Sequence, residues 1–310
     1  MAEQQASEET EREAPAAVRP YRLFGVELVR RTTLSPHMAR LTFGGEAVGE
    51  MRTCAPDQRI KLFFPDPAGR AAALEDRADW YARYKVLPVQ DRPPMRTYTI
   101  RALRPAAREV DIDFVLHGRA GPASRWALDA QPGDRLQITA PSAAYAGDPG
   151  GYEWRPPADV ERVLLIADET ALPAAAGILE ELAARPDPPA AQAFIEVPDP
   201  EDALPLPDWP GLDVRWLPRS GAPHGEGMTQ ALSLAQTPAA ASADGPLEAI
   251  DIEAVLPWER AAGAADGFYA WVAGESAAVM AIRRELVQAR GLARNAINLM
   301  GYWRLGRVLD

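Results

Sequence analysis

The residues of this 310-residue chain that could do chemistry begin with the string RTYTIR, residues 96–101. In a strand, side chains alternate between faces, so Arg96 and Tyr98 share one face and Thr99 and Arg101 share the other. A guanidinium can grip a phosphate with two hydrogen bonds while a neighbouring phenol ring stacks on a flat heterocycle. Thr99 could hydrogen-bond the edge of that heterocycle. The string therefore indicates a site for a phosphate-bearing aromatic cofactor.

A second string, HGRAGPASRWA, occupies residues 117–127 and follows the clearest alternating strand of the sequence, residues 110–116. Its small residues allow a ligand to approach the backbone closely, and a helix that begins near Pro122 would direct free N–H groups at an anion. Two elements suited to phosphate and joined by one hairpin fit a dinucleotide. An ordinary Gly-Pro turn is the alternative.

Charge is distributed unevenly along the chain. Residues 92–125 hold seven arginines against three acids, and residues 283–310 hold six arginines against two, in a chain of formal charge -11. Such basic islands indicate an anionic ligand, although solvated surface arginines remain the alternative. The acidic balance argues against nucleic acid as a partner.

Length and composition exclude several classes of protein. A chain of this length favours two domains, and 47% hydrophobic residues exclude general disorder. No apolar run approaches the ~18–20 residues that span a bilayer, and the polar, acidic N-terminus is unlike a signal peptide, so we expect a cytoplasmic protein. Cys54 alone, with three scattered histidines, gives no disulfide, zinc site or iron–sulfur cluster. Redox chemistry would need an organic cofactor.

The pattern of the chain changes near residue 157. Residues 1–19 are expected to form a disordered tail, and residues 20–157 show the short alternating runs of an antiparallel barrel or sandwich. A helix is expected within residues 70–86, with its aromatic residues used for packing. Residues 158–310 read as an α/β domain, with a buried strand at 163–167 and a loose insertion at about 233–266.

Four strings together resemble a known family. RTYTIR resembles the flavin-binding signature of ferredoxin-reductase-like flavoenzymes. HGRAGPASRWA, the turn DETALPA at residues 168–174 and GYWRLGR at residues 301–307 resemble the siderophore-interacting proteins, which are FAD-dependent ferric-siderophore reductases. The resemblance implies a six-stranded antiparallel Greek-key FAD-binding barrel followed by an α/β parallel-sheet domain of the NAD(P)H-binding type.

The resemblance also implies roles for single residues. Arg96 would hold FAD phosphate, Tyr98 would stack on the isoalloxazine, and Thr99 would lie near its N5 atom. Further cofactor contacts would come from Arg101, His117, Gly121, Pro122, Ala123, Ser124 and Trp126. A turn facing the electron donor would comprise Asp168, Glu169, Thr170 and Ala171. Lys61 and Arg304 would attract the siderophore, although Lys61 could also be a plain charge at a strand edge.

The implied activity is reduction of a ferric siderophore with release of Fe(II). Electrons would come from NADH, NADPH or ferredoxin through FAD, by outer-sphere transfer without a catalytic side chain or a protein metal ligand. The strand at residues 163–167 is not followed by G-x-G-x-x-G, which weakens the case for NAD(P)H as the donor. Three alternative functions remain open: a general NAD(P)H-dependent flavin reductase or diaphorase, a flavin-bearing siderophore carrier without turnover, and a scaffold without cofactor. We expect a monomer with no membrane partner.

Overall fold

The structure is a computed structural model that describes residues 18–66, 68–119, 121–239, 250 and 255–307. Most of the expected N-terminal tail, and residues 240–249 and 251–254 of the expected insertion, lie outside the described residues. Among the described helices, none combines the length and the apolar character needed to cross a bilayer.

The N-terminal half is a curled antiparallel sheet in the order β4-β3-β7-β1-β2-β6-β5. Its strands are β1 (Tyr21–Ser35), β2 (Met38–Gly44), β3 (Arg59–Phe63), β4 (Met95–Thr99), β5 (Ala102–Arg104), β6 (Glu109–Val115) and β7 (Arg135–Pro141). Their inward side chains, such as Leu41, Phe43 and Ile112, are fully buried in one core. The period-2 alternation of the sequence therefore produces a barrel with a filled interior.

A bend at Ile100 and Arg101 closes the barrel. These two residues join β4, which pairs with β3, to β5, which pairs with β6. The Ile100 N–H donates to the Gln58 carbonyl, and the Arg101 N–H donates to the Asp111 carbonyl, so the bent segment bonds to both neighbours. The expected six-stranded Greek-key barrel is confirmed, because the seventh strand is the second half of one bent strand.

Two short helices lie within the barrel half, α1 (Trp80–Val86) and α2 (Pro122–Asp129). The helix expected within residues 70–86 is confined to its last seven residues. The Leu74 N–H donates to Gln137 Oε1 at 2.8 Å, and Gln137 Nε2 donates to the Leu74 carbonyl at 2.9 Å. These two bonds hold the segment before α1 against β7 in an extended form.

The C-terminal half is an α/β domain with the strand order β10-β9-β8-β12-β13-β11. Its strands are β8 (Arg162–Ala167), β9 (Ala190–Val197), β10 (Leu212–Pro218), β11 (Trp258–Glu259), β12 (Phe268–Glu275) and β13 (Ile297–Trp303), and its helices are α3 (Leu172–Ala183), α4 (Glu226–Leu234) and α5 (Ser276–Arg283). The sheet is parallel except for β11, which pairs antiparallel with β13. The expected α/β class is confirmed, with one short antiparallel edge strand.

The two halves pack against each other through the β1–β2 hairpin. Met38 lies in one buried cluster with Leu172 and Val197 of the α/β half. Beside it, Asp202 accepts hydrogen bonds from the Ser35 hydroxyl at 2.7 Å and from the His37 N–H at 2.9 Å. The position of the domain boundary, between residues 157 and 158, stays a prediction.

Candidate functional site

A cavity of about 1150 Å³ opens where the barrel meets the α/β domain. Its barrel wall comes from β3, β4 and the turn before α2, and its opposite wall comes from the turn after β8 and the end of β13. The volume is in the range of pockets that take drug-sized ligands or larger ones. All four strings singled out in the sequence contribute to its lining, and the terminal string contributes five of its seven residues, Gly301, Tyr302, Trp303, Leu305 and Arg307.

The RTYTIR string forms the central barrel wall. Arg96, Thr97, Tyr98 and Thr99 all line the cavity, although strand alternation alone would turn the two threonines away. The Tyr98 ring packs on Phe114 with ring centroids 4.4 Å apart, which fixes its orientation. Burial raises the pKa of the Tyr98 phenol well above its ordinary value, so this ring stays neutral.

Arg96 carries a charge that the described protein does not neutralise. Its Nη1 donates to the Met95 carbonyl at 2.7 Å, and within the described residues it forms no ion pair with a carboxylate. A half-buried guanidinium in a cavity favours an anionic ligand, because its remaining donors need acceptors.

The HGRAGPASRWA string forms a turn into α2 at the edge of the cavity. His117, Gly121, Pro122, Ala123 and Ser124 all line it. The Ser124 hydroxyl donates to the Gly118 carbonyl at 2.7 Å and accepts the His117 N–H at 3.1 Å, so the turn is tied to the first turn of α2. A Cβ on Gly121 would lie 3.2 Å from the His117 ring, and a larger residue would therefore crowd the turn.

Two residues that were expected to contact the cofactor lie outside the lining of the large cavity. Arg101 lies beyond the bend of the barrel, outside the cavity lining, and forms an ion pair with Glu180 of α3. Trp126 belongs to α2 but does not line the large cavity, and its ring stacks on Phe43 with ring centroids 6.0 Å apart. It also lines a smaller cavity of about 490 Å³. Direct contact of Arg101 with a ligand in the large cavity would require its ion pair to open.

The DETALPA turn contributes two of its four expected residues to the lining. Glu169 and Thr170 face the cavity, whereas Asp168 and Ala171 are buried behind them. Burial and the neighbouring Glu169 carboxylate raise the pKa of Asp168. Its oxygens are nonetheless saturated by donors of the protein, so its role here is to hold the turn.

Lys61 faces the cavity from β3, where its backbone pairs with Thr97. Its Nζ lies 3.4 Å from the Thr97 hydroxyl, and within the described residues it has no carboxylate partner. Burial, followed by the nearby Arg59 charge, lowers the pKa of Lys61 below its ordinary value. A desolvated ammonium without an internal counter-ion is suited to an anionic ligand.

Arg304 is placed differently from the expectation. Its Nη1 lies 3.3 Å from Glu275 Oε1, and it lies outside the cavity lining, because the end of β13 turns its side chain towards α5. Arg307, three residues further on in the same string, lines the cavity and is exposed.

Sequence reasoning missed a cationic and aromatic group at the cavity mouth. The Arg59 guanidinium lies 4.2 Å above the Trp258 ring, and Arg59 and Arg260 both bind the buried carboxylate of Glu153. Trp258 and Arg260 lie in the Ala- and Pro-rich insertion and reach the cavity because β11 pairs with β13. The only local signal was the string WER at residues 258–260, which stands out in a segment otherwise poor in large side chains.

A closed Greek-key barrel joined to an α/β domain, with a cavity at their junction, defines the class of ferredoxin-reductase-like flavoenzymes. Residues 27–145 match the family model of the siderophore-interacting FAD-binding domain, and residues 160–306 match the model of the siderophore-interacting protein. The chain belongs to the siderophore-interacting protein family. Arg96, Tyr98 and the turn before α2 all fall within the FAD-binding part.

Relatives and solved structures support this membership. The chain is 29% identical over 282 residues to a ferric vibriobactin reductase, ViuB, of Vibrio cholerae, covering 91% of this chain and 89% of that protein. It is 31% identical over 195 residues to an NADPH-dependent ferric-chelate reductase of Escherichia coli, covering 61% and 69%. It is 32% identical to a siderophore utilization protein from T. fusca, whose crystal structure superposes with a TM-score of 0.70 over 94% of this chain and 96% of that one.

Proposed function

We propose that this protein is an FAD-dependent reductase that releases iron from ferric siderophores. The observation that carries the proposal is the barrel wall of the cavity. This wall carries an oriented aromatic ring, Tyr98, together with two cations, Arg96 and Lys61, that have no carboxylate partner within the described residues. A flat, phosphate-bearing cofactor and an anionic substrate both match this wall.

FAD fits the residues that are present. The Tyr98 ring would support the isoalloxazine, Arg96 would bind a phosphate, and the turn at residues 121–124 would hold the pyrophosphate and adenosine part. Gly121 lets the His117 ring pack closely on this turn, which keeps the turn and the ring together at the edge of the cavity. When bound, FAD supplies a redox centre that accepts two electrons from a donor and delivers single electrons to an acceptor.

The cavity mouth would attract a ferric siderophore through charge. Lys61 and Arg307 supply cations there, and Arg59 and Arg260 share a single carboxylate, Glu153, so this rim has a net positive charge. In a chain of formal charge -11, such a rim focuses an anionic complex on the cavity. The ferric vibriobactin reductase among the relatives supports this class of substrate. Arg304, which is paired with Glu275, would serve as a positioning residue behind the rim.

Electron donors would meet the opposite wall. Glu169, Thr170 and the Trp303 ring line that side of the cavity. The NADPH-dependent relative supports a nicotinamide donor, and NADH or reduced ferredoxin are the other candidates.

An anaerobic assay tests the proposal. The purified protein is mixed in turn with NADH, NADPH and reduced ferredoxin in the presence of a ferric siderophore, and flavin bleaching and trapped Fe(II) are both followed. At least one donor should bleach the flavin and yield Fe(II). A protein that binds the ferric complex but yields no Fe(II) with any donor would be a carrier, and activity on quinones alone would indicate a general diaphorase.

A further inference from the structure

Three helices of the α/β domain begin at the edge where parallel-sheet domains usually bind nucleotides. The strand order reverses between β8 and β12, and ligands of open α/β sheets bind outside the carboxyl ends of the strands at such a point. The helices α3, α4 and α5 all start there, after β8, β10 and β12. Helix N-termini at this edge are the places where phosphate groups are commonly bound, because their N–H groups lack partners within the helix.

The start of α3 is occupied by Asp168. One oxygen of its carboxylate accepts the Thr170 N–H at 2.9 Å, the Thr170 hydroxyl at 2.6 Å and the Ala171 N–H at 3.3 Å. The other accepts the Glu275 N–H at 2.8 Å and the Trp303 indole N–H at 2.7 Å. This side chain is 1% exposed. A phosphate could reach these donors only by displacing a buried carboxylate.

The start of α5 is occupied in the same way by Glu275. Its Oε2 accepts the Ala277 N–H at 2.6 Å and the Ala278 N–H at 3.1 Å, and its Oε1 binds Arg304. A Cβ added at Gly274, the preceding residue, would lie 2.7 Å from Asp168 Oδ2. The crevice between β8 and β12 is therefore already filled by the protein's own carboxylates.

The start of α4 is occupied by a third buried carboxylate, Glu196, from the neighbouring strand β9. It accepts the Gly225 N–H at 2.9 Å and the Met228 N–H at 3.1 Å, and it binds Arg219 at 3.0 Å. Arg219 follows β10 and also binds both oxygens of Glu169, at 2.7 and 2.8 Å. The Arg219 guanidinium at this edge is thus bound by two carboxylates of the protein.

We propose that these carboxylates occupy the places of the donor's phosphates, so that a nicotinamide donor is recognised by its nicotinamide end alone. The inference rests on the proposed function and adds which part of the donor the protein binds. The ring end would enter the cavity beside Thr170 and Trp303, and the adenosine phosphates would gain no contact at the helix N-termini. Glu169, Glu196 and Glu275 outnumber Arg219 and Arg304 even when Asp168 is protonated, and this excess of negative charge opposes the phosphate at the 2′ position of NADPH.

Equilibrium binding to the oxidised, FAD-loaded full chain tests the proposal without turnover. Calorimetric titrations would use nicotinamide mononucleotide, NAD+, NADP+ and adenosine 2′,5′-bisphosphate. The three nicotinamide compounds should bind with dissociation constants within about threefold of one another, and the adenosine bisphosphate should not displace them. Binding of NADP+ more than about tenfold tighter than the mononucleotide, or displacement by the bisphosphate, would overturn the proposal.

Glu169→Gln provides a second test. Removal of this charge leaves Arg219 with Glu196 as its remaining carboxylate partner within the described residues, so the guanidinium becomes available to an anion. NADP+ binding should strengthen by roughly 3- to 10-fold relative to mononucleotide binding, because NADP+ carries the additional phosphates. The matched control is Glu27→Gln, which removes an exposed carboxylate paired with Arg135 on the barrel and should change neither value. Equal strengthening of both ligands, or of neither, would contradict the assignment of Glu169.

The test is separate from that of the proposed function. Photochemical reduction of the flavin, followed by addition of a ferric siderophore, measures iron reduction without any nicotinamide. Fe(II) release in that experiment together with tight, phosphate-dependent NADP+ binding would overturn the inference and leave the proposed function intact. Failure of Fe(II) release would instead count against the proposed function.

Discussion

The two sides of the cavity differ in whether their charged side chains have partners within the protein. On the barrel wall, Arg96 and Lys61 line the cavity without a carboxylate partner within the described residues. Behind the α/β wall, buried carboxylates such as Asp168 and Glu196 are saturated by backbone and side-chain donors. A cationic side chain left without an internal partner is available to a ligand, whereas a saturated carboxylate stabilises the fold.

This difference separates side chains that are available to bind a ligand from side chains that stabilise the fold. The barrel wall carries two cations that no carboxylate of the described residues binds, whereas the polar groups behind the α/β wall bind one another. Substitutions on the barrel wall should therefore change ligand affinity, and substitutions among the saturated carboxylates should change stability.

The largest effect is expected at Glu196. Glu196→Gln removes a buried charge that binds Arg219 and caps α4, and loss of one partner of a buried pair costs about 3 kcal/mol. Urea unfolding should show that loss, while FAD affinity stays unchanged. Glu27→Gln, at an exposed ion pair, should cost less than about 0.5 kcal/mol. A variant of Glu196 with full stability and weakened FAD binding would reverse the contrast.

The next effect is expected at Tyr98. The Tyr98 ring packs on Phe114 and lines the cavity. Tyr98→Ala removes this ring and should weaken FAD binding by about 100-fold. Flavin retention during gel filtration and fluorescence titration of the apoprotein would measure it. The control is Tyr81→Ala, on the exposed face of α1, which should retain its flavin. Full retention by a folded Tyr98→Ala protein would remove the basis for the stacking role.

A smaller effect is expected at Lys61. Lys61→Ala should raise KM for an anionic ferric siderophore by roughly 5- to 10-fold and should leave KM for a neutral ferric chelate nearly unchanged, since one charge at the cavity is lost. Steady-state kinetics with both chelates would measure the ratio. The chain has one other lysine, Lys85, which lies exposed above Tyr81 and serves as the matched control. Equal effects on the two chelates would contradict the role of Lys61.

The smallest effect is a pH dependence of the same cation. Because burial lowers the pKa of Lys61 below 10.5, its charge is lost at a lower pH than that of an exposed lysine. KM for the anionic chelate should therefore rise as pH rises through that lowered pKa. Lys61→Arg should abolish the rise, because a guanidinium stays protonated. If the rise persists in Lys61→Arg, another group controls it.

Local patterns predicted the elements of the fold well. The alternation at residues 110–116 appears as β6 (Glu109–Val115), and the buried run at residues 163–167 appears as β8 (Arg162–Ala167). Both succeed because burial of one face leaves an alternation of apolar and polar residues in the sequence, and burial of both faces leaves a continuous apolar run. The short helix expected within residues 70–86 is confirmed at Trp80–Val86, and its exact start was not predictable because the bonds between Leu74 and Gln137 join residues 63 positions apart.

The candidate site was predicted only where its residues lie in contiguous strings. Arg96, Tyr98 and the turn at residues 121–124 reach the cavity as expected. The pairing of Arg304 with Glu275 and the arrival of Trp258 at the cavity depend on long-range contacts of β13. No spacing along the chain encodes such contacts, so the sequence could not supply them.

A single-turnover experiment tests whether the bound flavin passes its electrons to the iron of a ferric siderophore. The FAD-loaded protein is reduced photochemically without oxygen and mixed in a single turnover with a ferric siderophore and an Fe(II) trap. The account predicts reoxidation of the flavin with about two Fe(II) trapped for each flavin, because FAD delivers its two electrons singly. A flavin that stays reduced in the presence of bound ferric siderophore, with no Fe(II) trapped, would contradict it.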